Sequence, residues 1–337
     1  MRYFFLLIIT LLSVTCCRAQ TARSYVDSGL VLYDAENYKA AIADFDRAIK
    51  LDSTLEEAYY QRGMAKGLME QYREAQVDIE KAIQLNPRQP DYYNARGCSE
   101  AFLNDHNAAI ADFDRAIAID AKPSKYYFNR GVSKFEKEQY AAAIDDMDYV
   151  ILHDPANAEA YDYRGQSKTA LTKYEDALDD YDHAIKLDPE YADVYLNRGI
   201  AKTILDKKEA AMMDISRAIE LDPRLVEAYI QRGNLEADTK DYKAAMKDFN
   251  KALELDSLDD FGWCERGVVR TEMEDYTGAI QDLNRAIELA HDYGKAYYYR
   301  GLARVNAGYA GDGCSDFRKA KELEYGDTES MIDQYCR

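Results

Sequence analysis

Apolar residues recur along this chain with a helical period that restarts at a fixed interval. Each 34-residue segment carries two stretches with the three-to-four-residue spacing of amphipathic helices, separated by a short polar turn. Nine glycines mark the interval, with no insertion or deletion between them: Gly29, Gly63, Gly97, Gly131, Gly165, Gly199, Gly233, Gly267 and Gly301. Such a period indicates stacked two-helix repeats, each of which buries its apolar face only against a neighbour.

Other positions keep the same interval when each repeat is counted from seven residues before its glycine. The repeats then start at residues 22, 56, 90, 124, 158, 192, 226, 260 and 294. Position 4 is aromatic in all nine, and position 20 is alanine in all but the last, which has Gly313. Position 27 is alanine except at Val150, and Asn86-Pro87 or Asp188-Pro189 closes a repeat. Small residues at positions 8, 20 and 27 let backbones approach closely, and the aromatic ring fills the space between helices.

This aromatic-Gly-Ala-Ala-Pro signature resembles the tetratricopeptide repeat, over residues 22–327. The resemblance implies an all-α fold of nine tandem two-helix units in a right-handed superhelical solenoid, without a domain boundary. The first helices would line a concave groove, and the second helices would form the convex back. Residues 328–337, with Met331, Ile332 and Tyr335, are expected to form a C-terminal capping helix that covers the apolar end of the array.

Position 7 departs from the family pattern. It is commonly leucine there, but here it is arginine in every repeat except the first, and position 23 is aspartate in all nine. A guanidinium held by a carboxylate suits a partly buried contact between helices. The alternative is an arginine ladder for phosphate, which an equal number of aspartates would neutralise. The sequence therefore predicts structural pairs within each repeat, among them Arg62 with Asp78, Arg164 with Asp180, and Arg198 with Asp214.

Residues 1–19 have the features of an export signal. Arg2 precedes an apolar run at positions 3–12, shorter than the roughly 20 residues that span a membrane. Cleavage after Ala19 is favoured; the alternative is a lipoprotein signal, with a lipid anchor at Cys16 or Cys17. We therefore expect export to the periplasm or medium of a bacterium, or an outer-membrane lipoprotein, with no integral membrane segment in the mature chain.

The remaining cysteines fit an exported chain. Cys314 and Cys336 flank the predicted cap, and a disulfide between them would stabilise the fold by about 3 kcal/mol on the chain-entropy estimate. Cys98 and Cys264 are five repeats apart and are not expected to pair with each other.

The sequence carries no pattern that predicts catalysis. The four histidines lack the spacing of metal ligands, and there is no CxxC pair or GxSxG elbow. We expect a protein that is not an enzyme and that holds no metal and no cofactor. The net charge of −19 repels nucleic acid phosphates and anionic lipids, so nucleic acid is not an expected partner.

The partner surface is predicted on the first helices. In the family, peptide contacts come mainly from positions 2, 5, 6, 9, 12 and 13. Apolar residues at positions 5 and 9 lie one turn apart and form a stripe, beside acids at position 2 such as Glu57 and Asp91. The predicted groove residues are Tyr60, Met64, Phe128, Val132, Leu196, Ile200, Ile230 and Tyr298.

An apolar floor with an acidic rim suits a protein or peptide segment with apolar anchors and basic flanks. The alternative is that the stripe is internal packing or is covered by a neighbouring copy. Two functions follow from the sequence. The favoured one is a protein-interaction scaffold in the bacterial envelope; the other is an accessory or regulatory subunit of an envelope enzyme or of a secretion or assembly complex.

Overall fold

The structure is a computed structural model that describes residues 21–326 and 328–336. The predicted signal peptide at residues 1–19, with Cys16 and Cys17, lies outside these residues. All regular elements in the described part are helices. The first helices of the nine repeats are α1 (Ala22–Asp34), α3 (Glu56–Leu68), α5 (Pro90–Phe102), α7 (Ser124–Glu136), α9 (Ala158–Ala170), α11 (Ala192–Ile204), α13 (Val226–Asp238), α15 (Asp260–Glu272) and α17 (Gly294–Asn306).

A second helix follows each of these after a turn of three residues. The second helices are α2 (Tyr38–Leu51), α4 (Tyr72–Leu85), α6 (His106–Ile119), α8 (Tyr140–His153), α10 (Tyr174–Leu187), α12 (Lys208–Leu221), α14 (Tyr242–Leu255), α16 (Tyr276–Leu289) and α18 (Ala310–Glu322). A last helix, α19 (Thr328–Tyr335), packs against α18. Each first helix thus begins where the glycine interval places the start of a repeat.

The turn within each repeat ends the first helix in the same way every time. Position 15 has a positive φ in all nine repeats, for example 58° at Glu138 and 61° at Thr172, and only Gly308 among them is a glycine. A left-handed residue cannot continue a right-handed helix. Asp105 and Asp241 then cap the second helices, because their side chains accept the backbone N–H groups of Ala108 and Ala244.

The chain divides into two compact units between Ser167 and Lys168. In both units large apolar side chains at position 24 of second helices pack on the position 8 glycine of the same repeat. Phe113 in unit 1 and Phe249 in unit 2 are almost fully buried, and a Cβ atom added to Gly97 would lie 2.8 Å from the Phe113 ring. The alanines at position 20 are likewise fully buried. The core of each repeat therefore requires small residues at the positions that recur in the sequence.

The position 7 arginines bridge three groups at once. Arg62 donates to both carboxylate oxygens of Asp78 in its own repeat and, at 2.5 Å, to Asp46 in the preceding repeat. Its guanidinium also lies 5.5 Å from the centre of the Tyr59 ring, one helical turn away. Lys66 at position 11 adds a 2.7 Å bond to Asp78. This arrangement explains why aromatic, arginine and aspartate residues recur together.

Arg198 repeats the bridge in unit 2. It donates to Asp214 at 2.8 and 2.6 Å and to Asp182 at 2.6 Å. Arg164 in unit 1 bonds to Asp148 at 2.5 Å, and Asp180 in unit 2 accepts from Lys168 at 2.7 Å. The pairing of Arg164 with Asp180 crosses the division between the units and remains a prediction.

The C-terminal helix is joined to the last repeat by a disulfide. Cys314 on α18 and Cys336 are bonded, with Cα atoms 5.5 Å apart. The Tyr335 ring lies 6.3 Å from that of the buried Phe317, so α19 covers the end of the last repeat. Within the described residues, no helix is both long and apolar enough to cross a membrane.

Reduction of this disulfide is expected to loosen α19 before any other helix. Stability in stacked repeats comes from nearest neighbours, and in the described residues α19 packs mainly against α18. Amide hydrogen exchange, followed by mass spectrometry with and without reductant, should show faster exchange in residues 328–336 and unchanged exchange in α3 to α6. Loss of protection throughout unit 2 would contradict this local effect.

Candidate functional site

Unit 1 contains a cavity of about 470 Å³ between the first helices of repeats 2 and 3. Its walls come from α3, the start of α4 and α5, with Lys125 from α7 at one edge. The lining residues are Tyr60, Gly63, Met64, Gly67, Leu68, Glu70, Tyr72, Ile79, Asn94, Ala95, Cys98, Ser99, Phe102 and Lys125. Most of the first-helix residues among them occupy positions 5, 9, 12 and 13, so the cavity opens on the face that the sequence predicts.

The rim of this cavity exposes apolar side chains. Leu68 is 53% and Phe102 69% exposed, and the Phe102 ring stacks on Tyr72 with centroids 4.7 Å apart. Tyr60 and Met64 lie deeper and are half-buried. Large apolar groups that face solvent around a cavity are typical of a binding surface.

The polar groups at the cavity wall are held in place by neighbouring side chains. Asn129 on α7 donates to Asn94 at 2.9 Å and to the Cys98 sulfur at 3.4 Å. Burial raises the pKa of Cys98 to about 11, so this thiol is neutral at physiological pH. It is therefore a small wall residue whose thiol reacts slowly while it is buried.

A smaller acidic pocket of about 280 Å³ adjoins the cavity and shares Tyr60 with it. Its lining residues are Glu56, Glu57, Tyr60, Gln61, Gln89, Asp91 and Tyr92. The Tyr60 ring, which lines both spaces, lies 4.8 Å from the Tyr92 ring in the acidic pocket. Burial raises the pKa of Asp91, but hydrogen bonds from Lys125 and Tyr126 outweigh that effect and leave the pKa lowered, so Asp91 is an anion. Arg23 pairs with Glu57 at 3.5 Å and Lys125 with Asp91 at 2.6 Å. Glu56, Glu57 and Asp91 still leave an excess of negative charge, which suits a cationic group.

The predicted groove residues of unit 1 differ in their surroundings. Tyr60 and Met64 line the cavity together. Phe128 and Val132 are half-buried against the core of repeat 4, and the Phe128 ring lies 5.9 Å from Tyr163. The apolar floor predicted from the sequence is thus open at repeats 2 and 3 and closes at repeat 4.

The prediction that Leu196 and Ile230 line an open groove is wrong. Each is only 3% exposed and belongs to the core of unit 2. The following repeat places a large aliphatic residue at position 10, Leu235 beside Leu196 and Val269 beside Ile230, in the same buried clusters. After Tyr60 the same position is Ser99, whose short side chain leaves the cavity open.

The other predicted groove residues of unit 2 also take part in internal packing. Ile200 is half-buried against the cluster that contains Leu196. The Tyr298 ring lies between 5.3 and 5.8 Å from those of Tyr299, Phe317 and Tyr325, near the C-terminal cap. In unit 2 the alternative interpretation of the stripe, as core packing, is therefore the better one.

Leu68, Phe102 and Tyr72 were not singled out by the sequence pattern. Leu68 and Phe102 occupy position 13, which is acidic in four other repeats but also apolar at Ala170 and Ile204. The signal in the sequence is that two successive repeats, the second and the third, both carry a large apolar residue there. Tyr72 at position 17 carries no such signal, because tyrosine recurs there in repeats that have no cavity.

The described part of the chain contains no group of three or more histidine, cysteine, aspartate or glutamate residues placed to hold a metal ion. The histidines instead bond locally, as His153 and His183 do to the carbonyl oxygens of Tyr149 and Asp179.

Known proteins resemble this chain in sequence and in fold. Models described as TPR repeat match residues 29–70 and 165–202, and models described as tetratricopeptide repeat match residues 56–89, 90–123, 192–225 and 226–257. Together they match more than half of the chain. No curated protein matches it significantly.

Solved structures share the helical architecture at low sequence identity. The APC/C hetero-tetramer Cut9–Hcn1 superposes with a TM-score of 0.65 and 13% identity, covering 94% of this chain and 76% of that one. A tetratricopeptide repeat protein from Parabacteroides merdae gives 0.58 and 17%, covering 74% and 100%. A TPR repeat-containing protein from Cytophaga hutchinsonii gives 0.53 and 20%, covering 69% and 95%. With its recurring glycine, alanine and aromatic positions on paired helices, this chain belongs to the tetratricopeptide repeat family.

Proposed function

We propose that this protein is an interaction scaffold that binds a peptide segment of a partner at the first-helix face of unit 1. Tetratricopeptide repeats form a family of protein-interaction scaffolds, which supports the general function. The observation that carries the specific proposal is the apolar cavity beside the acidic pocket, with Tyr60 shared between them.

The two spaces define the chemistry of the bound segment. An apolar side chain such as leucine or phenylalanine enters the cavity, where it contacts Met64, Leu68 and Phe102 and is removed from water. A lysine or arginine a few residues away enters the acidic pocket near Glu57 and Asp91. An acidic segment is repelled by the same pocket and by the net charge of the chain.

The cellular setting of this interaction is part of the proposal. The apolar N-terminal segment with Arg2 and Ala19 supports export to a bacterial envelope. The Cys314–Cys336 disulfide is of the kind that persists in an oxidising compartment. We place the protein in the periplasm or outside the cell, with an outer-membrane lipoprotein as the alternative form.

Selection from a phage-displayed library of random peptides of about 12 residues tests the proposal without knowledge of the natural partner. Peptides enriched on the purified protein are expected to carry a leucine or an aromatic residue with a lysine or arginine within a few positions. Enrichment of acidic peptides, or of basic peptides without an apolar residue, would contradict the proposed site. A free peptide of the enriched sequence should bind saturably in solution.

A further inference from the structure

Position 11 shows a second regularity, from which the first repeat departs with Leu32 and two other repeats depart with an acid. In six repeats it is lysine or arginine, and this cation bonds to the position 23 aspartate of the same repeat. Examples are Lys66 with Asp78 at 2.7 Å, Lys134 with Asp146 at 2.8 Å, and Arg304 with Asp316 at 2.7 Å. Position 11 is glutamate in repeat 3 (Glu100) and in repeat 7 (Glu236).

Glu100 therefore places a carboxyl group where its neighbours place a cation. In other repeats the position 11 side chain contacts the position 23 aspartate, which is Asp112 in repeat 3. The Oε2 atom of Glu100 is buried and has no hydrogen-bond partner. Two carboxyl groups share a hydrogen bond only when one of them carries a proton. Because Asp112 already accepts two bonds from Arg96, a bond between Glu100 and Asp112 needs the proton on Glu100.

The charged groups around Glu100 do not compensate for a second negative charge. Arg96 on the same helix is the one cation of the cluster, and it already bonds to Asp112 on α6 and to Glu80 on α4. Asp105, in the turn before α6, adds a further negative charge. His106, the first residue of α6, bonds through Nε2 to Asn104, and its Nδ1 atom is buried without a partner. In repeat 2, by contrast, Arg62 and Lys66 share two carboxylates, those of Asp78 and Asp46.

Burial is the main cause that raises the pKa of Glu100 from its ordinary 4.5 to about 7, and the charge of Asp112 adds to it. Because the folded pKa lies above the ordinary value, the neutral form is favoured in the fold. Its contribution is fully present below about pH 4.5 and is lost as pH rises toward and through 7.

The position of Glu100 on α5 connects it to the cavity. This helix supplies Asn94, Ala95, Cys98, Ser99 and Phe102 to the cavity wall, and Glu100 lies within its second half. Movement of this half of α5 displaces Ser99 and Phe102, which border the apolar opening.

We propose that Glu100 makes the unit 1 cavity responsive to pH. Neutral Glu100 ties α5 to α6 and keeps the cavity formed, whereas ionised Glu100 loosens the second half of α5 and opens the wall. Peptide binding in the cavity rests on the proposed function, whereas the response of α5 to pH does not depend on it. An exported protein is exposed to the pH of its surroundings. Ionisation of Glu100 would weaken partner binding in alkaline conditions.

Three variants of the full chain separate the role of Glu100 from general effects of pH. Glu100→Gln keeps the shape and stays neutral. Glu100→Lys restores the cation that repeat 2 has at Lys66 and should bond to Asp112. Glu236→Gln makes the same change as the first in unit 2 and serves as the matched control.

Hydrogen exchange of α5 is the first measurement. Between about pH 6 and pH 8.5, after correction for intrinsic exchange, the opening of residues 96–102 in the wild type should rise by up to about tenfold. Glu100→Gln and Glu100→Lys should show no such rise, and Glu236→Gln should keep it. Constant protection in the wild type, or a rise that persists in Glu100→Gln, would overturn the proposal.

Alkylation of Cys98 by N-ethylmaleimide reports on the cavity wall without a peptide. At each pH the alkylation rate of Cys98 in the wild type is divided by its rate in Glu100→Gln. This ratio cancels the change in thiolate fraction that both proteins share. The buried Cys264 serves as the internal reference. This ratio should rise severalfold toward about pH 8.5. A constant ratio, with α5 exchange that does respond, would show that Glu100 acts on the helix but not on the cavity.

A fluorescein-labelled peptide from the phage selection then tests the link to binding. Its affinity should fall with rising pH in the wild type and stay constant in Glu100→Gln. If no peptide binds at any pH, the proposed function fails, while α5 exchange and Cys98 alkylation still decide whether the cavity responds to pH.

Discussion

Leu196→Asp is expected to lower the free energy of unfolding of unit 2 by about 4 kcal/mol or more, enough to unfold the surrounding repeats. Leu196 is 3% exposed and belongs to a cluster with Ala211, Ile215 and Leu235. A carboxylate at this position lies among these apolar side chains and is cut off from water. The same change would be mild if position 5 lined an open groove.

Ile204→Asp, on the same helix, is the matched control. Ile204 is 50% exposed, so its replacement should cost under about 1 kcal/mol. Urea unfolding followed by far-UV circular dichroism measures both variants. Similar small losses for the two would show that Leu196 lies at a surface, as the sequence alone suggested.

Arg232→Ala is expected to lower the free energy of unfolding by about 3 kcal/mol, because it leaves Asp248 buried beside Glu236 with no other bonded cation among the described residues. Arg198→Ala should lower the free energy of unfolding by about half as much, since Lys202 remains bonded to Asp214 at 2.7 Å. Arg198 also loses its bond to Asp182, but that aspartate is mostly exposed and contributes little. The two substitutions thus differ in whether the buried aspartate keeps a bonded cation.

Chemical denaturation of both variants in parallel checks this order. A double-mutant cycle of Arg198→Ala with Asp214→Ala should show coupling between the two residues. If Arg198→Ala costs as much as Arg232→Ala, the position 11 lysine does not support the aspartate, and the regularity on which the role of Glu100 rests would lose its physical basis.

The sequence predicts the helical framework well because each repeat faces the same constraints. Gly97 and its equivalents recur because the ring or side chain at position 24 leaves no room for a Cβ atom. The pairing of Arg62 with Asp78 follows from the joint recurrence of the two residue types in the array. The additional bond to Asp46 was not predicted, because position 25 varies among repeats and is Ser216 or Asn250 in unit 2.

The candidate site could be predicted only in part, because its openness depends on the next repeat and not on the stripe itself. Tyr60 and Leu196 occupy the same position, but the cavity at Tyr60 is bordered by Ser99, while Leu196 is covered beside Leu235. The role of Glu100 was not predicted for a related reason. It can be inferred only from the structure, where other repeats place a lysine or arginine against the position 23 aspartate.

The most direct test of the account is the affinity of a selected peptide for two matched variants of unit 1, measured by fluorescence anisotropy. Phe102 and Leu152 are 69% and 76% exposed, and only Phe102 borders the cavity. Phe102→Asp should weaken binding about tenfold or more, whereas Leu152→Asp should leave the affinity unchanged and both proteins folded. Equal affinity for Phe102→Asp and the wild type, or a loss confined to Leu152→Asp, would place the partner on a different surface and contradict the account.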